Sequence, residues 1–546
     1  MSLARTIMIQ GTSSHVGKSV LTAALCRIFR QAGLRVAPFK AQNMALNSYV
    51  TAGGGEIGRA QALQAEAAGV DVTVDMNPIL IKPSRDMEAQ VVVLGRPAAN
   101  LQAGEYGRRF ARTEGWRAVT GALGRLRAEY DVVVIEGAGS PAEVNLKEGD
   151  IVNMRVAREA DAPVLLVADI DRGGALAALV GTLQLLEEDE RERVKGLILN
   201  KFRGDIELLK PAISFLENYT GKPVLGVIPH IDGLGLDEED SVSLTEALPQ
   251  KDYARGQVEP VEDGARDRVD VAVIRLPRIS NFTDFDPLAR MPGARVRYVA
   301  GPEDLGKPDL VIIPGTKNTI EDLEFLRQTG LAAAIAGYAA QGLPVIGICG
   351  GYQMLGVEIS DPHGMESDQG CVEGLGLLPV STTFEPEKTT RRVRARVAGR
   401  GPFFEGMEGG QVAGYEIHMG RTQAAEGFYP AFRVESGGQA QTGGADGTGG
   451  VEAAGANGYP DGCVNTGGNV FGTYLHGLFD NDAFRWNLIN RLRERKGLPP
   501  LEKAANLDLR AAREEAFERL AGIVRQSLRM DLLFRIAGIE ESSEKG

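Results

Sequence analysis

Short apolar runs alternate along the chain with stretches whose apolar positions recur every three or four residues. Six runs fall within residues 1–232: Thr6–Ile9, Val36–Phe39, Val132–Ile135, Val164–Ala168, Gly196–Leu199 and Val224–Ile228. Several are apolar at successive positions, as strands covered on both faces require. Leu21–Gln31 and Ala175–Leu186 between them have helical periodicity and suit right-handed crossovers joining parallel strands. The pattern predicts a doubly wound α/β domain. It lapses over residues 233–268, a charged stretch with two prolines that reads as a linker.

A second alternating series begins at Val269, with strands expected at Val271–Ile274, Val296–Val299, Leu310–Ile313 and Val345–Ile348 and a helix at Ile320–Tyr338. Further strands are expected near Val393–Val397, Gly414–His418 and Val470–Tyr474. The fold class is therefore α/β, with two doubly wound domains, the second spanning residues 269–490. Within it, 12 of the 32 residues of 437–468 are glycine, a composition that buries too little apolar surface to order itself and predicts a surface insertion. Residues 491–546 form an extension, helical from Leu507, in which Leu520, Ile523, Val524 and Leu528 share one face suited to packing on a domain.

Composition narrows the function classes. The 546 residues carry a formal net charge of −13, which disfavours nucleic acid and anionic membrane as partners while leaving room for a local basic site. The four cysteines, Cys26, Cys349, Cys371 and Cys463, are far apart and form no CxxC pair, so neither a disulfide framework nor a zinc knuckle is expected. The apolar run at the N-terminus is too short for a secretory signal, and the uncharged stretch between Arg327 and Glu358 is interrupted by Gly342, Pro344, Gly350 and Gly351. A cytoplasmic protein is expected. Oligomeric state is left open, a homo-oligomer included.

Two segments carry chemistry. The first, Gly11-Thr12-Ser13-Ser14-His15-Val16-Gly17-Lys18-Ser19, leaves the first strand and opens the first helix. Its backbone N–H groups and the positive helix end would hold phosphate oxygens; Lys18 would reach terminal phosphates, and the Ser19 hydroxyl would ligate Mg²⁺. Five residues separate the glycines, one more than the usual spacing. Glu136, at the end of a strand and followed by Gly137-Ala138-Gly139, faces the crevice of such a sheet, either as a second Mg²⁺ ligand or orienting a metal-bound water. Asp169-Ile170-Asp171-Arg172 has the same strand-end placement and suits an active-site loop or a simple turn. Asn200 and Lys201 follow another strand, placed to contact a nucleotide base.

The second segment is Gly347-Ile348-Cys349-Gly350-Gly351, a strand-to-helix turn with small neighbours around a cysteine. A helix N-terminus lowers a thiol pKa, and such a thiolate is a nucleophile. His476, after another expected strand, is the candidate base, and the backbone N–H groups of Gly315 and Gly350 are candidates for an oxyanion hole.

Together these residues resemble the cobyric acid synthase family, glutamine-dependent amidotransferases of cobalamin biosynthesis, over about residues 4–490. The first half is similar to dethiobiotin synthetase in GTSSHVGKS, in Lys40 of Pro38-Phe39-Lys40 and in Glu136-Gly-Ala-Gly; the second is similar to class I glutamine amidotransferases in the Cys349 turn and His476. Lys40-Ala-Gln-Asn43-Met-Ala-Leu-Asn47-Ser48 and Asp169-Ile-Asp171-Arg-Gly-Gly favour the cobyric branch over its a,c-diamide-forming relative. The resemblance implies a P-loop ATP- and corrinoid-binding amidoligase domain over 1–232 and a glutaminase over 269–490. ATP, Mg²⁺, glutamine and adenosylcobyrinic acid a,c-diamide would be its ligands, Lys40 would join the ATP site, and the b, d, e and g carboxylates would become amides. Cobyrinic acid a,c-diamide synthase, or an amidoligase for another polycarboxylate, is the alternative. Class I glutaminases commonly place a glutamate two residues after the histidine; here that residue is Leu478. Glu416 and Asp480 are the candidates for a third member, or a dyad suffices.

Overall fold

The computed structural model describes residues 3–85, 88–236, 267–435, 458–502 and 508–540. Most of the expected linker and residues 437–457 of the expected glycine-rich insertion lie outside the described residues. The rest of that insertion, 458–468, is no loop throughout but contributes strands Tyr459–Asp461 and Cys463–Val464. The chain divides into two compact units. One comprises Met1–Ala45, Gly55–Glu239 and Arg510–Gly546; the other comprises Leu46–Gly54 and Asp240–Leu509.

The first unit is built on six parallel strands in the order Val224–Pro229, Val194–Phe202, Val164–Asp169, Arg5–Gly11, Val132–Glu136 and Val36–Phe39. The chain reverses direction across the sheet beside Arg5–Gly11, so the crevice at the carboxyl ends of Arg5–Gly11, Val132–Glu136 and Val164–Asp169 is where such sheets bind ligands. Ile7, Ile9, Val134, Leu165 and Val167 are fully buried. Their core also takes in Phe517, Leu520, Val524 and Phe534 from helices Leu509–Ser527 and Met530–Ile536, so the C-terminal helices complete the first unit's core. A four-stranded sheet of Gln42–Met44, Ile79–Arg85, Glu88–Val93 and Arg96–Gln102 stands beside this layer.

The second unit repeats the plan in the order Ala294–Val299, Val269–Ile274, Leu310–Ile313, Val345–Ile348, Val470–Thr473 and Cys463–Val464, parallel except for the last pair. The expected helix Ile320–Tyr338 is two helices, Thr319–Gln328 and Leu331–Ala340, parted at Gly330, whose φ of 83° only glycine adopts at little cost. A mostly antiparallel second sheet is dominated by the pair Val380–Val397 and Gln411–Ala424.

Candidate active sites

In the first unit the turn after Arg5–Gly11 places His15 and Gly17 in left-handed backbone (φ 61° and 96°) directly before helix Lys18–Gln31. Such a turn directs successive N–H groups inward, a concavity for anions. Lys18 is buried, and its Nζ donates to the carbonyls of Ser13 (2.8 Å) and Gly139 (3.1 Å), tying the loop to the segment after Glu136. Glu136 is fully buried and accepts from three donors: Ser19 Oγ and Lys40 Nζ at Oε1, both at 2.8 Å, and Gln64 Nε2 at Oε2, 2.6 Å. The structure thus brings Lys18, Ser19, Lys40 and Glu136 together. Gln64 has no sequence motif to announce it.

Asn200 and Lys201 are turned inward onto the phosphate loop. Asn200 Nδ2 donates to the Val16 carbonyl at 2.8 Å, and Lys201 Nζ donates to the His15 carbonyl at 2.6 Å and pairs with Asp169 at 3.0 Å. A Cβ at Gly17 would fall 2.2 Å from Asn200 Nδ2, so a glycine is needed there for the two segments to meet. An apolar cavity of about 530 Å³ opens beside Gly139 and Ser140, walled by Ile81, Val91, Leu101 and Ile151.

Mg²⁺ prefers hard oxygens and retains several waters. Ser19 Oγ and the Glu136 carboxylate fit that preference, but the Lys40 ammonium already on Oε1 suits Glu136 to a metal-bound water rather than to the ion. Among the described residues no group of three His, Cys, Asp or Glu side chains could hold a metal, so nucleotide phosphates and water would have to complete the shell.

In the second unit Cys349 stands between strand Val345–Ile348 and helix Gly350–Leu355 with φ 50° and ψ −108°, a conformation that costs a non-glycine residue energy. The glycines around it are steric necessities: a Cβ at Gly351 would lie 2.0 Å from the Ile313 carbonyl oxygen, and one at Gly347 2.6 Å from Leu355 Cδ1. Cys349 Sγ donates to the Ile417 carbonyl at 3.5 Å. His476 is buried, and Cys349 is among the groups that raise its pKa. A Cβ on Gly315 would meet His476 Cε1 at 3.1 Å, so Gly315 lines the same site, and one on Gly350 would meet Thr316 Cγ2 at 2.8 Å.

The third member is neither of the expected acids. Nδ1 of His476 lies 2.7 Å from Asp284 Oδ2, and the N–H of Gly477 donates to Asp284 Oδ1 at 3.2 Å. Burial alone would lower the His476 pKa; the Asp284 charge and hydrogen bond, together with Cys349, outweigh it and raise the pKa to about 10. Glu416 is engaged elsewhere, accepting from Arg391 Nε at 2.6 Å and from Tyr459 Oη at 2.9 Å, and Asp480 follows His476 in the short helix Leu478–Asp480. Sequence reading missed Asp284 because it lies 192 positions from His476 and only the parallel-sheet topology joins them. The available signal was an acid flanked by Phe282, Phe285 and Leu288, all buried.

Residues 7–242 match the CobQ/CobB/MinD/ParA nucleotide binding domain, and residues 270–484 match the CobB/CobQ-like glutamine amidotransferase domain. The chain is a nucleotide-binding domain followed by a glutamine amidotransferase domain, as the motifs led one to expect. It is 54% identical over 543 residues to the cobyric acid synthase of Pelotomaculum thermopropionicum, covering 98% of this chain and 97% of that protein. It is 53% identical over 539 residues to that of Moorella thermoacetica, covering 98% of each. The chain belongs to the cobyric acid synthase family of amidating ligases. The solved structure of PurLQS from Thermotoga maritima covers 46% of this chain and 98% of its own at 19% identity and a TM-score of 0.29, too slight a likeness to build on.

Proposed function

We propose that the protein uses ATP·Mg²⁺ and glutamine to amidate the b, d, e and g carboxylates of adenosylcobyrinic acid a,c-diamide in the cytoplasm, yielding adenosylcobyric acid. The observation that carries the reading is the Cys349–His476–Asp284 constellation on a chain that also bears the Lys18–Lys40–Glu136 cluster. The Pelotomaculum and Moorella relatives, matched across nearly the whole length, are cobyric acid synthases, which favours this acceptor over the unamidated corrinoid.

In the first unit a carboxylate oxygen of the acceptor attacks the γ-phosphorus, ADP departs, and an acyl phosphate forms. Lys18 and Lys40 offset the charge gathering on the transferring group. Ser19 would ligate Mg²⁺ and Glu136 would orient a water on it, and the ion when bound would offset phosphate charge. The Ala138-Gly139-Ser140 segment and the neighbouring apolar cavity suit an acceptor with a large hydrocarbon body and a carboxylate directed at Lys18.

In the second unit the Cys349 thiolate attacks the side-chain carbonyl of glutamine. Backbone N–H groups at Gly315 and Gly350 would stabilise the oxyanion. The His476 imidazolium, its Nδ1–H held by Asp284, gives a proton to the departing ammonia, then takes one from the water that cleaves the glutamyl thioester. Ammonia displaces phosphate from the acyl phosphate, leaving the amide. The test is mass spectrometry of the corrinoid after incubation with ATP, Mg²⁺ and amide-¹⁵N-glutamine. Four ¹⁵N amides on the diamide are expected; amidation of cobyrinic acid alone would point to the a,c-diamide-forming activity instead.

A further inference from the structure

The segment Leu46–Gly54 belongs by sequence to the first half of the chain, directly after Lys40-Ala-Gln-Asn43-Met, yet it is part of the second unit. Its contacts converge on the glutaminase residues. Asn47 Oδ1 accepts from the N–H of Phe282 at 3.0 Å, and Asn47 is almost completely buried. Phe282 opens the one-turn 3₁₀ helix Phe282–Phe285 that carries Asp284, and the first amides of a helix have no partner within it. Asn281, at the N-cap with φ 52°, reads the backbone of Ser48 in both directions: its Oδ1 accepts from the Ser48 N–H (3.4 Å) and its Nδ2 donates to the Ser48 carbonyl (3.2 Å).

The same asparagine donates to Tyr415 Oη at 3.0 Å, and that hydroxyl donates to the Ser48 carbonyl at 3.3 Å. Tyr415 is the lateral support of His476. Their rings lie 5.4 Å apart at 18°, and their backbones exchange two hydrogen bonds of 2.9 and 3.1 Å. Val50 packs in one apolar cluster with Tyr415 and Ile417, and the Ile417 carbonyl is the acceptor for Cys349 Sγ. Arg392 fastens the segment from the other side, donating from Nε to the Val50 carbonyl at 2.7 Å and lying 4.9 Å over the Tyr49 ring.

We propose that Leu46–Gly54 is a positioning element of the glutaminase site, with Asn47 and Ser48 fixing Asn281, the Asp284 turn and Tyr415 and thereby the orientation of His476 toward Cys349. Asn47, Ser48, Asn281 and Tyr415 act through the Asp284 turn and His476, so they are positioning residues. The inference rests on the glutaminase reading of Cys349, His476 and Asp284. Misplacement of a catalytic group by about 1 Å costs on the order of 10²-fold in rate, and loss of one of several fixing bonds should cost less. A misaimed His476 bears on the chemical step, so the loss belongs in kcat rather than KM.

The test uses the full chain carrying Asn47→Ala or Tyr415→Phe, assayed for glutamate release from glutamine with ATP, Mg²⁺ and the corrinoid diamide present, across pH. Expected is a fall in kcat on the order of 10-fold, KM for glutamine within about twofold, and an alkaline limb of kcat/KM displaced to lower pH as Asp284 holds the imidazolium less well. Amidation driven by ammonium salt should stay at the wild-type rate. Variants with wild-type kcat and pH profile overturn the inference. So does a loss of ammonia-driven amidation in parallel with glutaminase, which marks a fold defect. A wild-type chain that releases no glutamate defeats the glutaminase reading itself.

Discussion

His476 is buried, where a neutral imidazole is the cheaper form, yet Asp284 and Cys349 raise its pKa to about 10. A proton bound more tightly in the folded chain than in the unfolded one stabilises the fold. That contribution is fully present below the ordinary value of 6.5, fades as pH rises, and is gone above about 10. Asp284→Asn removes the cause, so the gap in melting temperature between wild type and variant should be widest near pH 6 and narrow toward pH 10, measured by circular dichroism. A gap that is constant or widens with pH contradicts the ion pair. Glutamine hydrolysis by the same variant should fall on the order of 10⁴-fold, the scale of losing the residue that orients a catalytic histidine. At the other site Glu136→Gln removes the buried carboxylate that pairs with the buried Lys40 ammonium, at a cost of roughly 3–5 kcal/mol to the first unit. The Mg²⁺ concentration for half-maximal activity should rise as well; an unchanged titration would limit Glu136 to a structural role. Residues whose chemistry is advertised by their immediate neighbours, Lys18 and Cys349, were legible in the sequence. Asp284 and Gln64 were not, because no motif marks them until the sheets are assembled; the apolar neighbours of Asp284 announce burial but not chemistry.

The strand-to-helix turns are the elements on which both sites depend. Gly351→Ala would force a Cβ to within 2.0 Å of a backbone oxygen of strand Leu310–Ile313, and neither side can yield without moving the Cys349 turn. Glutamine hydrolysis should be lost, with a stability cost of several kcal/mol. Ammonia-driven amidation surviving at the wild-type rate would place the damage in the second unit alone. The amphipathic face of the C-terminal helix was readable from the spacing of Leu520, Ile523, Val524 and Leu528, of which Ile523 is only half-buried, but periodicity states only that a face is buried, not against what. The structure places it on the first unit's core through Phe517, which is fully buried. Phe517→Ala should therefore cost about 3–5 kcal/mol and lower the transition that ATP analogues stabilise. If the ATP-insensitive transition drops instead, the helix serves the second unit. The segment Leu46–Gly54 was illegible for a related reason: its sequence neighbours form part of the nucleotide half, and only long-range hydrogen bonds assign it elsewhere.

At the scale of the whole chain, two doubly wound sheets each carry a candidate site at the carboxyl ends of their strands, and the two sites share no residue. The alternation of apolar runs made both sheets legible, since strands buried on two faces leave an unbroken apolar signature. Gln42–Met44 and Arg96–Gln102 left no such trace, the first being only three residues long and the second largely exposed. The central claim is that glutamine is opened at one site and the acceptor activated at another. Cys349→Ala tests it most directly, with corrinoid amide measured by mass spectrometry using glutamine or a high concentration of ammonium salt at mildly alkaline pH. The expected result is a loss of glutamine-dependent amidation on the order of 10⁴- to 10⁶-fold, with ammonia-driven amidation retained. Undiminished use of glutamine, or loss of both reactions in a variant that remains folded, would contradict the account.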